Sequence, residues 1–119
     1  MRRVILRSKI HGAWLTGARL EYEGSIGLDR NLMRKANLLP GEQVHVLNLN
    51  NGSRLVTYVI AAAAGSGEVQ LNGAAARLGV VGDRVIILAY AECTPAEARR
   101  LRPRIVRVNR KNQPLNERG

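Results

Sequence analysis

Phenylalanine is absent from the 119 residues, and Trp14, Tyr22, Tyr58 and Tyr90 are the only aromatic side chains. A core must therefore be assembled from Val, Ile, Leu and Ala, which favours close-packed strands over a large aromatic pocket. Cys93 is the single cysteine. It has no thiol partner for an internal disulfide or a shared metal, which fits a reducing cytoplasm. No apolar run approaches the roughly eighteen residues that read as a membrane span, and the charged start Met1-Arg2-Arg3 leads into no long apolar stretch. The expectation is a cytoplasmic protein with neither signal peptide nor membrane segment. Also missing are a phosphate-cradling Gly loop, a Gly-x-Ser-x-Gly elbow and a His/Cys cluster. No metal is expected.

What is present suits one domain spanning residues 1–119, since 45% apolar content in a chain of this length fills a single core. The net charge of +10 would ordinarily point to an anionic partner. Its location argues otherwise: Arg99, Arg100, Arg102, Arg104, Arg107, Arg110, Lys111 and Arg118 crowd the C-terminal end against Glu117 alone. The rest of the chain is close to balanced and lacks the interleaved aromatics on which bases stack, so nucleic acid is not the expected partner.

Short β-branched and apolar runs bounded by Gly, Asn and Pro dominate, giving a mainly β chain. Strands are expected over residues 4–9, 42–49, 54–61, 68–71, 84–91 and, shorter, 104–108. Asn50-Asn51-Gly52 predicts a hairpin over residues 43–60 closed by a two-residue turn, because Asn-Gly accepts positive φ. Asp29 can cap a helix bearing Leu32, Met33 and Ala36 that ends before Pro40-Gly41. Thr94-Pro95-Ala96-Glu97 is a capping box with Pro at the first helical position. A helical turn can follow Asn72-Gly73. Residues 109–119 are polar and aperiodic and read as a loose basic tail.

Tyr22-Glu23-Gly24-Ser25 is the segment with chemical potential. A serine hydroxyl can attack the carbonyl before it through a five-membered ring, converting the peptide bond to an ester. Gly24 leaves that carbonyl sterically open and tolerates strained backbone angles. Elimination from the ester leaves dehydroalanine, which hydrolyses to a pyruvoyl group at the new N-terminus. Gly-Ser also occurs at Gly52-Ser53 and Gly65-Ser66, so the dipeptide alone proves nothing, and His11 and His45 taken alone read as ordinary surface or strand histidines.

The surrounding motifs are more specific. Leu20-Glu21-Tyr22-Glu23-Gly24-Ser25-Ile26, Leu38-Leu39-Pro40-Gly41-Glu42, Val44-His45-Val46 with Asn50-Asn51-Gly52 and Arg54, Thr57-Tyr58-Val59-Ile60, Leu71-Asn72-Gly73-Ala74-Ala75-Ala76-Arg77 and Val81-Gly82-Asp83 follow one another in order. From Lys9-Ile10-His11 to about Pro103 the chain resembles the aspartate 1-decarboxylases. That resemblance implies a double-psi β-barrel with short helices, a homotetramer with sites between subunits, and conversion of L-aspartate to β-alanine for pantothenate synthesis. It also implies cleavage at Gly24-Ser25 into residues 1–24 and 25–119, with Ser25 becoming the pyruvoyl cofactor that forms a Schiff base with the substrate amine.

By the same resemblance Tyr58 protonates the carbanion left by decarboxylation, while Thr57, Gly73, Ala74 and Ala75 contact substrate or the cleavage intermediate. Two substrate carboxylates call for fixed cations; Arg54 offers a planar fork and Lys9, near His11, can face the other. Alternation puts Lys9 with His11 on one strand face and Arg54 with Tyr58 on one face. It also points Thr57 away from Tyr58, which requires a bulge or an intersubunit site. Leu47 stands where many relatives carry Trp, and Gly27 where Ala or a small β-branched residue is usual. The rival reading is a non-enzymatic basic β-barrel module that holds nucleic acid or an acidic partner.

Overall fold

A computed structural model describes residues 1–115. Eight strands form one sheet: β1 (Arg3–Trp14), β2 (Gly17–Arg19), β3 (Ser25–Asp29), β4 (Gln43–Asn48), β5 (Arg54–Ala62), β6 (Val69–Asn72), β7 (Arg84–Cys93) and β8 (Arg104–Arg107). Their order is β2-β6-β3-β5-β4-β7-β1-β8. Two helices, α1 (Arg30–Ala36) and α2 (Pro95–Arg100), and a 3-10 helix, Gly73–Leu78, complete the regular structure among the described residues. The mainly β class follows from the sequence as expected.

The core is aliphatic. Ile10, Leu15, Ile26, Leu28, Leu32, Val44, Val46, Val59, Val69, Leu71, Val85 and Ile87 are essentially sealed from solvent. They alternate along β1, β4 and β7, so intervening residues such as Lys9, His11 and His45 take the opposite face. β1 runs past residue 9 to Trp14 with irregular pairing between His11 and Ala13. Gly12 supplies the positive φ of 74° there, and its carbonyl accepts Arg84 Nε and Nη2 at 3.1 and 2.9 Å.

Both capping signals form. Asp29 accepts Asn31 N–H at 2.7 Å, and the same buried carboxylate accepts Gly65 and Gly67 N–H at 3.1 and 2.8 Å. One side chain thus starts α1 and ties down the loop before β6. Thr94 and Glu97 complete their capping box at α2.

Three expectations need correction. The hairpin between β4 and β5 exists, but its loop covers residues 49–53: Asn48 N–H donates to Ser53 O, and only Gly52 there has positive φ. Asn48 Oδ1 accepts from Asn50 and Asn51 N–H, a side-chain turn that holds the longer loop. β2 and β3 have no counterpart among the expected strands. The segment from residue 109 is not loose through residue 115. Asn112 is buried, accepts Trp14 N–H and donates to Trp14 O and Gly67 O, each at 2.8 Å. Arg110 lies over the Trp14 ring at 5.1 Å, with Arg84 over the same ring at 4.5 Å. Residues 116–119 lie outside the described part.

Candidate active site

Ser25 opens β3, the strand held between β5 in parallel and β6 in antiparallel pairing. Ile26 and Val59 pair with their side chains in the core, so Ser25 and Tyr58, one residue earlier on each strand, share the opposite face. Ser25 pairs with Asn72, whose Nδ2 donates to Ser25 Oγ at 3.0 Å; Oγ in turn donates to Glu23 O at 3.0 Å. Both side chains are buried. The serine hydroxyl is therefore fixed beside the peptide bond it would attack.

Gly73, the residue after Asn72, packs closely against that segment. Its φ is +66°, and a Cβ there would sit 2.6 Å from Gly24 N, 2.7 Å from Gly24 Cα and 2.7 Å from Tyr22 O. Only glycine permits this approach. Gly24 itself faces open space where a side chain would be, leaving its surroundings accessible for a tetrahedral intermediate. The residues present thus suit a serine-derived pyruvoyl group: an anchored hydroxyl, an unhindered preceding glycine, and a backbone packed closely by Gly73.

A cleft of about 440 Å³ adjoins this point, lined by Gly24, Thr57, Tyr58, Ala74 and Ala75 together with Leu55, Val56 and Leu78. Thr57 and Tyr58 do alternate, Thr57 half-buried and Tyr58 exposed. No bulge interrupts β5 in its pairing with β4 or β3. Both residues nevertheless line one cleft of a single chain.

Lys9, His11 and Arg54 are not gathered there. Register places Lys9 and His45 on either side of Leu88, and His11 and Leu47 on either side of Ile86, with Leu47 next to Arg54. Three strand spacings, about 14 Å, thus separate β1 from β5. Arg54 lies four residues from Tyr58, about 13 Å along the strand, with Nη1 3.3 Å from His45 Nδ1. Partial burial pushes the His11 pKa below 6.5, and the positive charges of Lys9, Arg107 and Arg84 push the same way. Leu47 is the half-buried link in the row from His11 to Arg54.

Two polar groups at the site went unread in the sequence. Asn72 stands in the sequence as part of a turn signal and of a resembling motif with no role attached, and Gln70, whose Nε2 donates to Asn72 Oδ1 at 2.8 Å, carries no signal at all. Both follow from the pairing of β3 with β6, which is long-range in sequence.

Residues 1–115 match the family described as aspartate decarboxylase. The chain is 58% identical over 113 residues to aspartate 1-decarboxylase 1 of Gloeobacter violaceus, covering 95% of this chain and 96% of that protein. It is 56% identical over 109 residues to the aspartate 1-decarboxylase of Dehalococcoides mccartyi, covering 92% and 88%. With that of Trichormus variabilis it shares 51% identity over 118 residues, covering 99% and 93%.

Proposed function

The chain belongs to the aspartate decarboxylase family, and from that premise we infer that it is a carboxy-lyase converting L-aspartate to β-alanine and carbon dioxide for pantothenate synthesis. The family match does not favour the rival reading of a basic binding module. The observation that supports the chemistry best is Ser25 Oγ, buried and held by Asn72 beside the Gly24-Ser25 bond.

Self-cleavage proceeds with Ser25 Oγ attacking the Gly24 carbonyl carbon. The C–O bond forms, the C–N bond breaks, and the hydroxyl proton ends on the freed amine. Loss of the Ser25 α-proton then expels the Gly24 carboxylate, and water replaces the enamine nitrogen, releasing ammonia. The products are residues 1–24 and residues 25–119 with a blocked N-terminus. Thr57 steadies the ring intermediate, and Gly73 keeps the scissile backbone in place.

The pyruvoyl group, when present, supplies a ketone that captures the substrate amine and accepts the electrons left by carbon dioxide. Tyr58, on the Ser25 face, delivers a proton to the carbanion. Ala74 and Ala75 keep the wall beside the substrate small enough for backbone to approach. Lys9, His11 and Arg54 meet the carboxylates across a subunit boundary, because within one chain Lys9 and His11 lie three strands from Tyr58. A homotetramer of this kind would also cover Val56, Tyr58 and Ile105, which one chain leaves exposed. The enzyme works in the cytoplasm.

Intact-protein mass spectrometry of wild type and Ser25→Ala tests the reading. Wild type should give two fragments cut after Gly24, the larger without a free amine, and Ser25→Ala one uncut chain without activity. Full activity in an uncut Ser25→Ala protein would overturn it.

A further inference from the structure

Ser25, Gly27, Glu68, Gln70 and Asn72 share the sheet face opposite the core on β3 and β6 and in the turn before β6. Their hydrogen bonds run in one direction: Gln70 Nε2 donates to Asn72 Oδ1 at 2.8 Å, Asn72 Nδ2 to Ser25 Oγ at 3.0 Å, and Ser25 Oγ to Glu23 O at 3.0 Å. Reversing the Asn72 amide would break both of its bonds as they stand. A Cβ built on Gly27 would lie 2.9 Å from Glu68 Oε2 and 3.9 Å from Asn72 Nδ2. Gly27, unusual at this position by the resemblance, leaves the carboxylate room.

We propose that Gln70 is a positioning residue for self-cleavage: it fixes the Asn72 amide so that an N–H, never a carbonyl, faces Ser25 Oγ. This rests on the reading of Ser25 as the cleavage nucleophile. The direction matters twice. During attack, Oγ has one lone pair on Asn72 and its proton on Glu23 O, leaving the other lone pair for the Gly24 carbonyl carbon. During elimination the Cβ–Oγ bond breaks and its electron pair departs on the Gly24 carboxylate, of which Oγ is now part. A donor at that oxygen stabilises the growing negative charge, whereas a carbonyl would oppose it. Gly17 leaves Gln70 its room: a Cβ there would lie 2.6 Å from Gln70 Oε1 and 3.2 Å from its Cδ and Cγ.

The test follows cleavage of freshly purified precursor by intact mass against time and pH, in wild type, Gln70→Glu, Gln70→Leu and Gly17→Ala. Gln70→Glu presents only acceptors when ionised and turns the Asn72 amide over. It should slow cleavage by about tenfold or more near pH 8 and regain rate as falling pH protonates the new carboxyl into a donor. Gln70→Leu should be slow at every pH. Gly17→Ala, which displaces Gln70 without changing it, should also be slow and serves even if a Gln70 variant fails to fold. Equal slowing of Gln70→Glu and Gln70→Leu at all pH values would indicate a merely structural role and overturn the proposal, as would wild-type rates in all three. An uncut wild-type chain would instead overturn the Ser25 reading beneath it.

Discussion

Replacing Gly73 with alanine probes the closest backbone approach in the site. The new methyl would stand 2.6 Å from Gly24 N and 2.7 Å from both Gly24 Cα and Tyr22 O, all main-chain atoms. Ordinary contact begins near 3.4 Å, so the scissile segment must retreat by about 0.8 Å. Displacements near 1 Å cost reactions that depend on near-attack geometry roughly 100-fold, and a slowing of that order is expected for cleavage after Gly24. Stability should fall as well. A left-handed alanine costs about 1–2 kcal/mol and the overpacking about 1–3 kcal/mol more, which together lower Tm on the order of 10 °C. Gly52→Ala is the control: its φ is +76° and nothing lies within 4 Å, so it carries the backbone penalty without the contact. Cleavage is read from intact mass over time and stability from thermal unfolding of the uncut chain. A Gly73→Ala protein that cleaves at the wild-type rate and melts no lower than Gly52→Ala would refute the reasoning.

Tyr58→Phe should still cleave, yet release β-alanine about 10²–10⁴-fold more slowly per processed chain; an undiminished rate would place the proton donor elsewhere. Asn112→Ala strips partners from Trp14 N–H, Trp14 O and Gly67 O and should destabilise by about 2–3 kcal/mol in denaturant titration, whereas an unchanged midpoint would mean the C-terminal segment is dispensable. His11, with its pKa lowered in the fold, binds a proton more readily when unfolded. Its contribution is therefore intact above pH 6.5 and lost as pH falls below that value. His11→Gln should flatten this part of the Tm-against-pH curve, and identical curves would remove His11 from the account.

What could be read in advance was what local chemistry decides. The Thr94 box and the Asp29 cap act within a few residues of themselves, and both form. β3 escaped notice because Ser25–Asp29 is buried at every position between two other strands, so no polar alternation marks it. Asn72 and Gln70 reach the site through the pairing of β3 with β6, beyond a reading confined to neighbours in sequence. The hairpin was legible but not its loop, since Asn48 replaces the expected turn with side-chain acceptors. Residues 109–115 look solvated by composition, yet the amide of Asn112 satisfies two backbone carbonyls and an N–H that only the folded chain brings together. The resemblance supplied Lys9, His11 and Arg54, while the sheet order explains why one chain does not bring them to Ser25.

β1 lies between β7 and β8, hydrogen-bonded on both edges. A cut after Gly24 would therefore change the molecularity of folding without releasing anything. The 24-residue piece would stay as two strands of the sheet, β1 and β2, and Ile10 and Ala13 would remain in the shared core. Before the cut, unfolding and refolding are events within one chain. Afterwards, recovery from denaturation needs two polypeptides to find each other, so its rate and yield fall with dilution. An uncut chain would refold without a second polypeptide, whereas a cut one would depend on never losing its first strand.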